Sequence, residues 1–242
     1  MKSKLVGICS VLLLAACQSA RTAPARAVER NCVFLQLKNG PRAAAVSKEE
    51  AQKVFAGHFA NMQRLAEAGQ LLVAGPYAQP RRDPDLRGIF ILSPAEVAEA
   101  QALAATDPGV IAGVFRTEAV RMRTRAPLDA YLEHELAIEM KAQAEGRKRA
   151  PGEGGRAFVW LTAEHGRRAR QALVEVEGIL LWGELSDGRA LALMDAQDSE
   201  ACTALLGEHA GAIGPYVLDP WFGSGELTKL PQMARSAAGS VD

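Results

Sequence analysis

Residues 47–76 decide the fold of the first half of the chain, and they read SKEEAQKVFAGHFANMQRLAEAGQLLVAGP. Ser47 followed three residues later by Glu50 is a capping box, which predicts the start of a helix. Apolar residues recur from there at helical spacing, and Gly69 is typical of a helix end. The apolar run at 71–74, ended by Gly-Pro, predicts a strand. The stretch is therefore a helix followed by a short strand.

The flanking sequence extends this unit on both sides. Apolar runs at 32–37 and 88–92 predict two further strands. Ser93 opens a second capping box, Ser-Pro-Ala-Glu, and the helix that follows is broken at Asp107, which precedes a proline. A last strand falls within 110–122. The first half therefore has the order β-α-β-β-α-β.

The second half repeats that order, and the repeat is the main sign of how the chain is organised. Strands are predicted at 157–161, 179–182, 190–194 and 216–222; one helix is predicted from Thr162 to Gly178, and another, capped by Asp195 or Asp198, ends near Glu208.

The first copy resembles the YCII-related domain family in five consecutive pieces. They are HFANMQRLAEAG from His58, LLVAGP from Leu71, RGIFIL from Arg87, TDP from Thr106 and AGVF from Ala112. The resemblance implies an α+β fold, a ferredoxin-like βαββαβ unit, and such units usually pair into a dimeric α+β barrel. Each sheet has helices on one face only, so its other apolar face needs a cover. We therefore expect the two copies to pair as a barrel within one chain.

The first residues of the chain predict a lipid anchor. Lys2 and Lys4 precede an apolar run at 5–14, which as a helix would span roughly 15 Å, about half of a bilayer core. The run ends in Leu-Ala-Ala-Cys17, which resembles the lipobox of bacterial lipoproteins, and an ordinary signal peptide with a chance cysteine is the alternative. Gln18 stands where aspartate would imply inner-membrane retention. The resemblance thus implies lipidation of Cys17 and the periplasmic face of the outer membrane.

These patterns divide the chain into six segments. They are a signal with its lipobox (1–17), a tether (18–30), a YCII-like domain (31–126), a connector helix with a linker (127–155), a second, degenerate YCII-like domain (156–231) and a disordered tail (232–242). We expect the connector helix to pack on one domain.

His58 and Asp107 are the candidate catalytic residues. The family resemblance places a histidine of the first helix and an aspartate after the second helix in one pocket, and a carboxylate on one ring nitrogen would orient the imidazole for proton transfer. Gly75 and Pro76 would let the backbone approach a ligand closely. The alternative is structural, because His58 lies at the edge of an apolar helix face and Asp107 is a common turn residue.

The second copy departs from this pattern. When Gly69 is aligned with Gly178, Arg167 falls opposite His58, and Glu208 falls opposite Asp107 in the later alignment. Gly183 is followed by a glutamate where Gly75 is followed by proline. Any site therefore belongs to the first copy.

The composition excludes several classes of partner. The 28 basic and 28 acidic side chains balance, so the electrostatic footprint of a nucleic-acid-binding protein is missing. No Cys/His cluster predicts a metal, and no motif predicts a cofactor. Beyond the signal and the lipobox, Cys32 and Cys202 remain, either as a disulfide or, as we expect, as two independent buried thiols.

Three functions remain open. The first is a lipid-anchored envelope protein that binds a small organic molecule or a neighbouring envelope protein in a pocket between the two copies. The second is an enzyme that uses the His58–Asp107 pair for proton transfer in an isomerisation or an elimination. The third is a purely structural envelope protein whose pocket is filled by its own side chains.

Overall fold

The computed structural model of the protein describes residues 29–150 and 152–239. The predicted signal, the lipobox Cys17 and residues 18–28 of the predicted tether lie outside the described residues.

The first repeat has the predicted order of elements. Ser47 caps the first helix as expected, because its hydroxyl accepts a hydrogen bond from the backbone N–H of Glu50. The prediction of a capping box at Ser93 is wrong. The helix begins four residues later, and the Ser93 hydroxyl accepts a hydrogen bond from Arg30 instead. The elements are β1 (Arg30–Asn39), α1 (Lys48–Glu67), β2 (Leu71–Pro76), β3 (Leu86–Leu92), α2 (Val97–Ala104), α3 (Pro108–Ile111) and β4 (Phe115–Thr124).

The second repeat also keeps its order, with shorter helices. Thr162 was predicted to cap a helix, which is wrong, because its backbone pairs with strands on both sides. Asp198, not Asp195, caps the later helix by accepting the backbone N–H of Ala201. After the connector α4 (Leu128–Ala144), the elements are β5 (Gly155–Ala163), α5 (Gly166–Leu173), β6 (Ile179–Leu185), β7 (Ala190–Met194), α6 (Ser199–Leu206), α7 (Ala210–Ile213), β8 (Tyr216–Ser224) and α8 (Leu230–Gly239), with short 3-10 turns at Gly207–His209 and Gly225–Lys229.

All eight strands form one antiparallel sheet in the order β2-β3-β1-β4-β6-β7-β5-β8. The repeats join where β4 pairs with β6, with Met122 opposite Leu185. At the other edges, Tyr77 bridges to Trp221 just after β2, which nearly closes the sheet. The fold is therefore α+β, and the prediction of two ferredoxin-like units that form one intramolecular barrel is confirmed.

Three apolar cores hold this arrangement together. Side chains of both repeats fill the barrel interior, where the rings of Trp160 and Trp221 lie 5.9 Å apart. A second core lies between the first half of the sheet and α1 to α3, and a third lies between the second half and α5 to α7. The centre of the barrel is therefore packed rather than hollow.

One end of the barrel, where β1 begins and β4 ends, is closed by helices. Leu128 and Leu132 of α4 and Leu230 of α8 belong to the interior core. The connector α4 contacts β2 of the first repeat and α8 of the second, so the expectation that it packs on one domain is wrong. The prediction of a disordered tail is wrong for residues 232–239, which belong to α8. Buried Leu230 and half-buried Met233 pack this helix against the core.

Candidate functional site

The structure brings His58 and Asp107 together. The Nδ1 atom of His58 lies 2.7 Å from Oδ2 of Asp107. The histidine is 7% exposed and the aspartate is fully buried. The other carboxylate oxygen of Asp107 accepts the backbone N–H of Gly109 at 2.7 Å. Both oxygens of Asp107 are thus occupied, which fixes the carboxylate in one orientation.

His58 and Asp107 meet because α3 packs closely against α1 and the sheet, at two glycines. Asp107 is the N-cap of α3, so its side chain is held at the start of that helix. A Cβ on Gly57 would lie 2.9 Å from the ring of Pro108, and a Cβ on Gly109 would clash with the ring of Phe115. The two glycines therefore let α3 pack closely against α1 and the sheet.

Aromatic rings surround the imidazole. The ring of His58 stacks on Phe90 with a centroid distance of 5.9 Å and an angle of 14° between the planes. Phe115 contacts it edge to face at 5.2 Å, and Phe55 and Phe59 lie at 6.4 and 5.5 Å. Phe59 is 48% exposed, so it forms the boundary between this apolar environment and solvent.

A second polar group lies one helical turn further along α1. Asn61 is buried, and its side-chain oxygen accepts hydrogen bonds from Arg64 and Thr106. Because Thr106 precedes Asp107, two neighbouring residues after α2 contact His58 and Asn61. The Nδ2 group of Asn61 is buried and has no hydrogen-bond partner among the described residues.

The tautomer of His58 follows from this geometry. A carboxylate only accepts hydrogen bonds, so the neutral imidazole carries its proton on Nδ1 and has a free lone pair on Nε2. No group in 29–150 or 152–239 forms a hydrogen bond to Nε2. The pair can therefore take up a proton at Nε2 while Asp107 holds the ring.

Gly75 and Pro76, predicted to face a ligand, lie at the junction between the repeats. A Cβ on Gly75 would clash with the carbonyl oxygen of Phe222 and with the indole of Trp221. Gly183 has the matching place in β6, where a Cβ would lie 2.5 Å from Sδ of Met122. The close approach that each glycine allows is thus to a strand of the other repeat.

The second repeat has no equivalent of the pair. Arg167 and Glu208 are both exposed, and the N-cap of α7, His209, forms no side-chain capping hydrogen bond. The buried polar residues of the described chain are His58, Asn61, Asp107, Thr124 and Asp219, and none of them lies in the helix layer of the second repeat.

Two cavities lie elsewhere on the molecule. One, of about 560 Å³, opens at the end of the barrel opposite α4 and is lined by both repeats. The other, of about 450 Å³, is a groove beside the junction of β4 and β6. Neither is lined by His58 or Asp107. Within 29–150 and 152–239 no group of side chains has the composition of a metal site.

The two cysteines of the domains are free and buried. The prediction of two independent thiols is therefore confirmed. Burial raises the pKa of Cys32 to about 12 and that of Cys202 to about 11. Neither thiol is a nucleophile at neutral pH, since the thiolate is the reactive form.

Sequence reasoning missed three residues that shape the site: Gly57, Asn61 and Gly109. Gly57 carried a usable signal, because a glycine inside an otherwise strong helix often marks a close packing contact. Asn61 and Gly109 carried none, since their roles depend on contacts with elements distant in sequence.

Residues 33–123 match the model of the YCII-related domain family. No curated protein sequence matches the chain. Among solved structures, a candidate monooxygenase from Lactobacillus acidophilus is 8% identical, with 79% of this chain and 93% of that chain covered and a TM-score of 0.43. A heme-binding protein from Thermus thermophilus is 10% identical (89% and 100% covered, TM-score 0.45). A candidate chlorite dismutase is 9% identical (84% and 99% covered, TM-score 0.46).

Proposed function

Residues 33–123 match the YCII-related domain family, and from this match we propose that the chain is an envelope lipoprotein whose first repeat performs acid–base chemistry on a small organic molecule. The observation that carries the proposal is the 2.7 Å contact between Nδ1 of His58 and Oδ2 of Asp107. In this role His58 is the proton acceptor and Asp107 is its positioning partner.

The surroundings of the pair restrict the chemistry. When Nε2 takes a proton, the imidazolium stays paired with the carboxylate, so the charge that develops is balanced within the site. The proton can be returned to another atom of the substrate, which gives an isomerisation, or passed to a leaving group, which gives an elimination. Because four phenylalanine rings surround the imidazole, the reacting part of the substrate is small and largely apolar.

Hydrogen–deuterium exchange at carbon tests this role without knowledge of the product. Lactones, keto acids and halogenated acids would be incubated in D2O with the protein and followed by proton NMR. Removal of a general base typically lowers the rate by about 100-fold or more, so exchange by His58→Ala should fall by that factor. Arg167→Ala, at the matching position of the second repeat, is the control and should exchange at the wild-type rate. Equal rates for wild type and His58→Ala, or no exchange above buffer with any compound, contradict the proposal.

The anchor is the second part of the proposal. No helix within the described residues is long and apolar enough to cross a bilayer. The sequence Leu-Ala-Ala-Cys17 after a short apolar run supports lipid attachment at Cys17. Mass spectrometry of the membrane-bound protein from a Gram-negative host should find the acyl mass on the N-terminal peptide. Cys17→Ser should lack that mass and leave the membrane fraction, and an unchanged product would contradict the anchor.

Ligand binding without turnover is a second candidate function. It is favoured by the cavity at the open end of the barrel, which both repeats line and which is separate from the His58–Asp107 pair.

A further inference from the structure

The open end of the barrel is polar although the rest of the interior is apolar. Gln36 and Lys38 continue the inward-facing row of β1 beyond Phe34. Asp219 continues the inward row of β8 beyond Trp221. Below this polar layer, Phe34, Leu86 and Val120 form an apolar floor. We call this end of the barrel the mouth, and its cavity of about 560 Å³ lies within the size range of small-molecule sites.

Three ion pairs line the mouth. Nζ of Lys38 lies 2.6 Å from Glu118, and the lysine side chain is only 16% exposed. Arg82 holds Asp219 through two contacts of 3.1 and 3.2 Å, and Asp219 is 4% exposed. Arg189 pairs with Asp187 at the rim. The pairs come from both repeats, so the mouth exists only because the repeats are joined.

Two of these charges, Lys38 and Asp219, are largely buried, and the barrel does not require buried charges at this position. The opposite end is closed by leucines of α4 and α8, which shows that apolar side chains can close the same sheet. Burying charged groups costs free energy that their mutual attraction offsets only in part. The buried charges of Lys38 and Asp219 are therefore better explained by recognition of a ligand than by packing.

The charge pattern defines the ligand. Asp83 also lines the cavity, and among the described residues it forms no ion pair, whereas Glu118 is shared between Lys38 and Arg116. A ligand with one charge would separate an ion pair and leave one partner uncompensated. A zwitterion inserts with its carboxylate on the cation and its ammonium on the carboxylate, and Asp83 is a carboxylate that can accept the ammonium. An apolar side chain would rest on the floor.

We propose that the mouth binds small zwitterions with an apolar side chain, the class of the apolar α-amino acids and their dipeptides. The proposal gives a ligand to the second candidate function and does not depend on proton transfer by His58. It names a site that neither the family match nor the His58–Asp107 geometry assigns.

Calorimetry on the full chain in detergent tests the proposal with three probes of one shape. They are L-leucine, 3-methylbutylamine, which lacks the carboxylate, and 4-methylpentanoate, which lacks the ammonium. We expect leucine to bind and each singly charged analogue to bind at least about tenfold more weakly. Absence of leucine binding, or equal binding of an analogue, overturns the proposal.

Variants then locate the ligand. Asp83→Asn keeps the hydrogen bond from the backbone N–H of Asp85, and it should weaken leucine binding about tenfold. Asp85→Asn, in the same loop but outside the cavity lining, is the matched control and should not change affinity. Val217→Trp should fill the mouth and abolish binding, with circular dichroism as the check of folding. If Val217→Trp is unfolded, the leucine affinity of Asp83→Asn alone tests whether the ligand binds at the mouth.

His58→Ala separates this proposal from the acid–base role. Leucine affinity should be unchanged in this variant, even if carbon-bound hydrogen exchange is lost. Loss of leucine binding in His58→Ala, with affinity retained in Asp83→Asn and Val217→Trp, would place the ligand at the pair and overturn the site at the mouth.

Discussion

The helix layers of the two repeats solve the same packing problem with different side chains. In the first repeat, α1 and α3 bury His58, Asn61 and Asp107 against the sheet. In the second, α5 buries Ala169 and Leu173, and that layer contains no buried polar residue within the described chain. Each layer covers the outer face of its own half of the barrel, and the two halves have the same order of strands.

The difference shows that the fold does not need the buried polar cluster. Polar groups removed from water cost free energy unless every hydrogen bond is recovered, and the Nδ2 group of Asn61 has no partner within 29–150 and 152–239. The second repeat avoids that cost and still pairs its strands fully. A cluster that packing does not require is better explained by chemistry, which is why His58 and Asp107 support the proposed function.

Among the variants that compare the two repeats, removal of the Asp107 carboxylate should lower the free energy of unfolding the most. Asp107→Ala leaves buried His58 and the backbone N–H of Gly109 without a partner, and we expect a loss of about 3 kcal/mol in the free energy of unfolding. Glu208→Ala, at the aligned and exposed position, should change it by less than about 0.5 kcal/mol. Urea unfolding of the three proteins measures both values.

Asp107→Asn sharpens that test. The amide oxygen can still accept the N–H of Gly109, so the stability loss should be smaller than for alanine. Its NH2 group would face Nδ1 of His58 and favour the other tautomer, so proton transfer should still be lost. Similar losses for Asp107→Ala and Glu208→Ala would mean that the pair contributes nothing specific.

The two junctions between the repeats give the next comparison. A Cβ on Gly75 meets the backbone carbonyl of Phe222, which cannot move without shifting β8, whereas a Cβ on Gly183 meets the flexible side chain of Met122. Overpacking of this kind costs about 1–3 kcal/mol, so Gly75→Ala should lie near 3 and Gly183→Ala near 1 kcal/mol. Thermal unfolding with matched calorimetry measures the difference. A larger loss for Gly183→Ala would show that the junction at β2 is the looser one.

The sequence was sufficient for the fold because its signals were local and occurred twice. Strand and helix order followed from apolar periodicity, and Ser47 capped α1 as its pattern indicated. The prediction that Ser93 caps a helix was wrong because its hydroxyl binds Arg30, which is distant in sequence. The pairing of His58 with Asp107 came from the family resemblance, whereas the role of Gly75 depended on Phe222, far along the chain. The mouth was not predicted because the residues that line it come from both repeats, and one of its ion pairs, Arg82–Asp219, joins them.

The smallest effect should come from the charges that link the repeats at the junction of β4 and β6. Glu184 of the second repeat accepts hydrogen bonds from Arg123 of the first and from Arg170, and Arg123 foremost lowers the pKa of that carboxyl below its usual value. A lowered pKa in the folded state means stability that is present above the ordinary pKa and lost as the pH falls through the folded value. Since the pair is partly exposed, its contribution at pH 7 is at most about 0.5 kcal/mol.

Glu184→Gln should therefore be slightly less stable than wild type at pH 7, and the difference should shrink as the pH falls below the ordinary pKa of 4.5 and vanish below the lowered pKa of the folded state. Urea midpoints measured from pH 7 to pH 3 give the two curves. Glu208→Gln, which removes an exposed carboxylate of the same repeat, should follow wild type over the whole range. A stability difference that grows on acidification would reverse the sign of the linkage, and the ion pairs at this junction would then oppose the joining of the repeats.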